Sequence, residues 1–171
     1  MSSITARISQ MKKNAGFTII EIVVVLIVLS IIVAFAIGRG RVTSADLKVQ
    51  TEVLKSRLRH AQARAMNDNM PWGIRTDSNG GSYWLFRYDT DSATLTTIKL
   101  PGEDANTVDL AAEGISMTAG TYSFNDRGIP YYTSYSGTPP GAPISENRSI
   151  TISKGSDNYS ITITKNTGFI E

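Results

Sequence analysis

The chain has no cysteine and a single histidine in 171 residues. The first absence excludes disulfides and thiolate chemistry, so any globular part must stand on its core alone. Together the two leave too few nitrogen and sulfur donors for a transition-metal site. His60 stands in an arginine-rich stretch and gives Ser134, Ser136 and Ser145 no base, which excludes a serine triad. No glycine-rich phosphate loop follows a strand. The residues therefore point away from an enzyme, and no cofactor is expected. A dominant sign of charge is missing as well: 17 basic and 15 acidic residues leave a net +2, so bulk electrostatics gives no drive toward nucleic acid. Two local absences shape the rest. Glu21 is the one ionisable residue between Phe17 and Ile37, and neither glycine nor proline occurs between Arg41 and Met70.

What is present begins with Lys12-Lys13-Asn14-Ala15-Gly16-Phe17-Thr18-Ile19-Ile20-Glu21, followed by an apolar run to Ile37. As a helix, 17–37 spans about 31 Å, enough for about 30 Å of hydrocarbon. A secretory signal carries its cleavage site after its apolar core. Here the small residue, Gly16, precedes the core, and a cut at that point leaves the helix on the mature chain. An acid in lipid is costly unless it has a partner, so Glu21 asks for an explanation. The count of basic residues on the two sides, Arg7, Lys12 and Lys13 against Arg39 and Arg41, only weakly favours a cytoplasmic N-terminus.

Beyond the apolar run, Leu47, Leu54, Leu58, Ala61 and Ala65 recur at helical spacing, with Arg57, Arg59 and Arg64 off that stripe. Pro71 stops the helix. Anchor and stem are expected to form one helix of about 50 residues, near 75 Å long. Gly38 and Gly40 flank Arg39 at the seam and read either as the tapering end of a membrane helix or as a point that can bend. After Pro71, strands are predicted at Trp72–Thr76, Ser82–Tyr88 and Leu95–Leu100, with a turn at Asn79-Gly80-Gly81. A hairpin pairs Thr121–Asn125 with Ile129–Tyr132, and another pairs Ser149–Ser153 with Tyr159–Thr164. Ile150 and Ile152 share one face; Tyr159, Ile161 and Ile163 share another. Ser134–Asn147, rich in Pro, Gly and Ser, is predicted to be a loop. The fold class is α+β: a long helix with a β-rich head of two small sheets packed on its second half, and Trp84, Phe86, Phe124 and Tyr159 as core or interface residues.

The junction at Gly16-Phe17, with Thr18 and then Glu21 ahead of the apolar run, resembles the leader of type IV prepilins and type II secretion pseudopilins. Further along, Ala61, Ala63, Arg64, Ala65 and Met66, then Trp72-Gly73-Ile74, then Tyr122-Ser123-Phe124-Asn125 with Gly128, then Ile161-Thr162-Ile163 with Gly168, resemble the GspH/FimT/FimU group of minor pseudopilins and minor pilins. The resemblance implies a type IV pilin-like fold. It divides the chain into a leader (1–16), a transmembrane and assembly helix (17–37), an amphipathic stem (38–70) and a head (71–171). It implies that a prepilin peptidase cuts between Gly16 and Phe17 and methylates the new Phe17 amine, and that Glu21 is the fifth mature residue. In a filament the helix packs among other helices, and the Phe17 amine of a neighbouring subunit is the natural cation for Glu21. Many type IV pilins carry proline where this chain has Gly38. The implied partners are other pilins or pseudopilins, the peptidase, the inner-membrane assembly platform and the membrane itself. The implied location is the inner membrane with the head periplasmic, and then a filament. A shorter leader starting at Met11 fits the same motif.

Charge bears on the rivals. Residues 39–66 carry seven basic and two acidic groups, a net +5; residues 67–171 carry seven basic and twelve acidic, a net −5. The basic stem reads as a solvated helix face, or as a surface that attracts the acidic heads of stacked neighbours. A DNA- or surface-binding tip module is the first rival: some relatives bind DNA through arginines near their C-terminus. Here Thr167-Gly168-Phe169-Ile170-Glu171 ends in an acid, Lys154 and Lys165 are the nearby cations, and an acidic head opposes counterion-release binding. A major filament subunit and an anchored enzyme are the other rivals. Asp89-Thr90-Asp91 offers oxygens to calcium but lacks the glycine and distal glutamate of an EF-hand loop.

Overall fold

A computed structural model describes residues 17–38 and 40–171, with side chains described for 17–33 and 45–171. The leader, Gly16 included, and Arg39 lie outside the described residues. The described residues fall into two units, one before Arg39 and one from Gly40 to Glu171.

In the first unit, α1 runs over Ile19–Gly38, 20 residues. Thr18 caps it. The Glu21 N–H donates to Thr18 Oγ1 at 3.3 Å and to the Thr18 carbonyl at 3.1 Å, and the Ile22 N–H donates to the same carbonyl at 3.3 Å. Thr-x-x-Glu is the spacing of a capping box, and an acid in the first turn favours the helix dipole. Val and Ile are only fair helix formers in water, but an apolar segment satisfies its backbone internally as a helix. Ser30 Oγ bonds back to the Leu26 and Ile27 carbonyls, 2.8 Å each. Among the described residues no helix is long and apolar enough to cross a membrane; the described α1 side chains end at Val33, about 22 Å from Ile19.

The second unit opens with α2 (Gly40–Asp68, 29 residues). The expected stripe is its buried face: Leu47, Leu58, Ala61 and Ala65 have no exposed surface and Leu54 almost none. The helix stops before Pro71 is reached. Asn69 turns left-handed at φ 53°, a conformation Asn tolerates better than most residues and one that ends helices.

Seven strands form one antiparallel sheet: β1 (Trp72–Thr76), β2 (Ser82–Asp89), β3 (Thr94–Ile98), β4 (Val108–Asp109), β6 (Thr121–Phe124), β7 (Pro130–Thr133) and β8 (Ala142–Pro143). Their order is β3-β2-β1-β6-β7-β8, with β4 also on β2. The second sheet holds β5 (Ile115–Met117), β9 (Arg148–Lys154) and β10 (Asp157–Ile163), in the order β10-β9-β5. A short 3₁₀ turn, Ala111–Glu113, precedes β5. The stem packs on β1 and β6 of the large sheet and on β9 and β10 of the small one.

The sequence pattern predicts two sheets but not β4, β5 or β8, and β8 interrupts the predicted loop 134–147. These strands have two or three residues each, too few to show alternation. The β9–β10 register also corrects a face assignment. Ile150 lies opposite Ile161 and Ile152 opposite Tyr159, and cross-strand partners share a face, so the two isoleucine sets form one buried face. Tyr159, at its outer end, is exposed, and Trp84 is half-buried.

The large sheet is covered on both faces. Trp72, Ile74, Leu85, Tyr122 and Phe124 join the stem side. On the other, residues 134–141 lie across the sheet, held by three polar groups: Thr121 Oγ1 donates to the Ser134 carbonyl, Ser123 Oγ to that of Pro140, and the Arg75 guanidinium to that of Gly137.

Candidate functional site

The N-terminal turn of α1 brings Phe17, Thr18 and Glu21 together. Phe17 is 82% exposed, and the apolar side chains from Ile19 to Val33 are exposed on every side of the helix. None of the ion pairs among the described residues includes Glu21. The cap at Thr18 is not among the features singled out above from the sequence, although the spacing Thr18-x-x-Glu21 signals it. Gly38 closes α1 and Gly40 opens α2, both with helical backbone; how the two helices join falls on Arg39, outside the described residues.

The three stem arginines off the stripe are engaged with their own unit, and Arg59 and Arg64 stay exposed to solvent at the same time. Each one off the stripe has a partner in its own unit. Arg57 reaches the Tyr83 hydroxyl and the Glu103 carboxylate. Burial pushes the Tyr83 phenol up; the Arg57 charge beside it opposes that push, and Glu103 adds to it. Arg59 donates to the Ile170 carbonyl at 2.7 Å. Arg64 stacks 4.8 Å from the Trp72 ring centroid and pairs with Asp68 at 3.0 Å. Between them Gln62 Nε2 faces three carbonyls, of Gly128 (2.9 Å), Thr167 (3.3 Å) and Gly168 (3.1 Å). The C-terminal segment is thereby tied to the stem, and Thr162 and Glu171 exchange two backbone bonds that hold it on β10. His60 is half-buried next to Arg57 and Pro101.

The loop acids form a turn. Asp89 Oδ1 accepts from the Asp91 N–H at 3.0 Å and the Ser92 N–H at 3.3 Å, and the hydrogen bonds from Ser92 and Asp91 hold its carboxyl below the usual range. No cluster of potential metal ligands occurs among the described residues. Ser134 serves as a backbone acceptor for Thr121.

Comparison with known proteins places both units. Residues 11–37 match the prokaryotic N-terminal methylation motif, and residues 50–168 match type II transport protein GspH. Among curated proteins there is no significant sequence match. The fold is similar to that of the minor pseudopilin EpsH from the type 2 secretion system of Vibrio cholerae, at 13% identity and a TM-score of 0.51 over 72% of this chain and 93% of that one. A crystal structure of the minor pseudopilin EPSH from the same V. cholerae system gives 12% identity and 0.51 over 75% and 95%. The type IV minor pilin FimU of Pseudomonas aeruginosa PAO1 gives 15% identity and 0.49 over 74% and 87%. Identities this low speak to the fold alone. The family match covers most of the chain, from within the stem to the end of the head, and the chain belongs to the GspH family of type II transport proteins.

Proposed function

We propose that the chain is a non-enzymatic minor subunit of a type II secretion pseudopilus or a type IV pilus, acting as a priming or tip-proximal component. A prepilin peptidase removes residues 1–16 and methylates the Phe17 amine. The apolar helix, 20 residues and about 30 Å long, holds the subunit in the inner membrane with its head in the periplasm, and later packs among the helices of other pilin-like subunits. The observation that carries this reading is Glu21: a lone acid in the first turn of a helix that is otherwise apolar on all sides, with no cation from the described residues of its own chain. A neighbour's Phe17 amine is the counter-charge. Removing one partner of such a buried pair costs about 3–5 kcal/mol, so the pair selects the register of assembly.

The test must separate charge from capping, because Glu21 also sits at the third position of a capped helix. Gln can replace Glu in a capping box but carries no charge. Glu21→Gln and Glu21→Ala are both expected to insert and to be cleaved, and both to be lost from co-purified pilin-like assemblies. Incorporation of Glu21→Gln at the wild-type level, with Glu21→Ala lost, would assign Glu21 to the cap and defeat the ion-pair role. Mass spectrometry of the mature wild-type chain is expected to start at N-methylated Phe17, and Gly16→Asp is expected to leave precursor. A mature chain that still carries Gly16 would remove the basis of the proposal.

A further inference from the structure

The outer edges of the two sheets are not alike. β8 ends the large sheet with two residues, one of them Pro143, which has no N–H. In the small sheet the Met117 N–H of β5 donates outward to the Gly80 carbonyl. β10 is covered at its end by the tail, where Thr162 and Glu171 exchange two bonds and Ile163 bridges to Ile170. The remaining edge is β3, five residues, Thr94-Leu95-Thr96-Thr97-Ile98. Proteins protect such an edge with proline, charge, a bulge or extreme shortness. β3 has none of these: its residues are uncharged, and it pairs with β2 residue for residue. The register gives the direction of its backbone groups. The Tyr88 N–H donates to the Pro71 carbonyl and the Asp77 N–H to that of Ser82, so the even-numbered residues of β2 face β1, and Leu85, Arg87 and Asp89 face β3. Their partners are Ile98, Thr96 and Thr94. Leu95 and Thr97 therefore turn both N–H and C=O outward, and these groups have no backbone partner among the described residues.

This edge matches itself. Set antiparallel to a second copy about a two-fold axis at Thr96, Leu95 of each chain lies opposite Thr97 of the other. Each such pair exchanges both of its bonds, so every outward N–H and C=O of the two edges is satisfied. Thr96 then faces its own counterpart, a favourable cross-strand pair, and Thr94 of one copy faces the half-buried Ile98 of the other. The charges at the two ends match as well. Asp91 lies in the turn before β3 and Lys99 follows the strand; both are exposed, and neither is in an ion pair among the described residues. An antiparallel copy brings Lys99 of each chain toward Asp91 of the other, while a parallel copy sets like charges side by side. We propose that β3 is a self-recognition edge, which pairs antiparallel with β3 of a second copy of this chain and joins their large sheets into one. The proposal does not depend on the function proposed above.

The absence of cysteine makes the test direct, since any disulfide reports an introduced contact. The full chain is purified in detergent with micelles in excess, so that two copies do not share a micelle through α1. Thr96→Cys is oxidised mildly and run on a non-reducing gel. At the two-fold axis the two copies of position 96 form a non-hydrogen-bonded pair, with Cα atoms about 4.5 Å apart, within disulfide range. Thr94→Cys is the control: it lies on the same face, but its two copies are about 14 Å apart along the strands and out of range. A disulfide dimer is expected for Thr96→Cys and not for Thr94→Cys. Adding Thr97→Pro should abolish it, because proline removes an outward N–H that the chain's own sheet does not use. Lys99→Glu should weaken the dimer of the otherwise unaltered chain about tenfold in sedimentation equilibrium, two pairs being reversed, and Asp91→Lys combined with it should restore the affinity. Should Thr97→Pro not fold by circular dichroism, the charge reversal and its rescue decide. The proposal is overturned by equal cross-linking at 94 and 96, by none at 96, by a dimer that survives Thr97→Pro in the folded chain, or by a charge reversal without effect. Cross-linking of Thr96→Cys in membranes to a different protein, with none between purified copies, also overturns it and gives the edge to another partner.

Discussion

At Gly73 the large sheet leaves no room for a side chain. A Cβ there would lie 2.3 Å from the Tyr122 carbonyl oxygen and 2.7 Å from Ser123 Cα. Both are backbone atoms of the neighbouring strand, which cannot turn aside as a side chain can. Gly73→Ala should therefore destabilise the head by about 3 kcal/mol or more, at the upper end of overpacking costs, read as a shifted denaturant midpoint for the chain in detergent. A midpoint within experimental error of wild type would show that the sheet has slack at this strand. Gly168 is constrained in another way: its φ is +65°, and a Cβ would meet the Gly128 carbonyl at 2.4 Å. Trp72-Gly73-Ile74, Gly128 and Gly168 are all legible in the sequence as motif residues. The physical reason for them is not. Close approach between strands, and between a turn and a tail 40 positions apart, leaves no local periodicity to read.

Among the elements, α2 shows how far periodicity carries an argument. Its stripe follows from spacing alone, because burial on a helix repeats every 3.6 residues. The partners of its arginines do not, because Arg57 meets Glu103 and Arg59 meets Ile170, 46 and 111 positions along the chain. A long side chain can lay its stem over apolar surface and still place its charge on the head, and charge counting cannot tell that from solvation. The two kinds of contact should separate on mutation. Leu58→Ala should cost about 2–5 kcal/mol globally, as buried leucines do. Gln62→Leu should cost about 1–3 kcal/mol by leaving carbonyls unpaired, and its effect should concentrate in the C-terminal segment. Hydrogen exchange is the measurement: Gln62→Leu should speed exchange at Gly168 and Glu171 and leave β1 and β6 protected. Uniform acceleration across the head would mean that the tail and the core open together.

For the molecule as a whole, two buried phenols set an alkaline limit. Burial pushes up both Tyr83 and Tyr122, and Tyr132 adds to the effect on Tyr122. A raised folded pKa favours the protonated, folded chain: the contribution is fully present below the unfolded tyrosine value of about 10 and is lost as pH rises toward the folded values. Melting temperature should therefore fall steeply above about pH 10, and the fall should be shallower in a Tyr83→Phe, Tyr122→Phe double variant measured by circular dichroism. An equally steep fall would assign the limit to other groups. The two units differ most in what they ask of their surroundings. The head ties several of its polar groups to partners far along the chain, among them Arg57 to Glu103, Arg59 to Ile170 and Gln62 to Gly168. In α1 the Ser30 hydroxyl is satisfied within its own turn, and the apolar side chains around it face outward in every direction. Rotating such a cylinder about its axis changes almost nothing at its surface, so it has no preferred azimuth, whether lipid or protein surrounds it. Among the described side chains the symmetry of charge is broken at one point, the carboxylate of Glu21, which acts as a key cut into an otherwise smooth shaft.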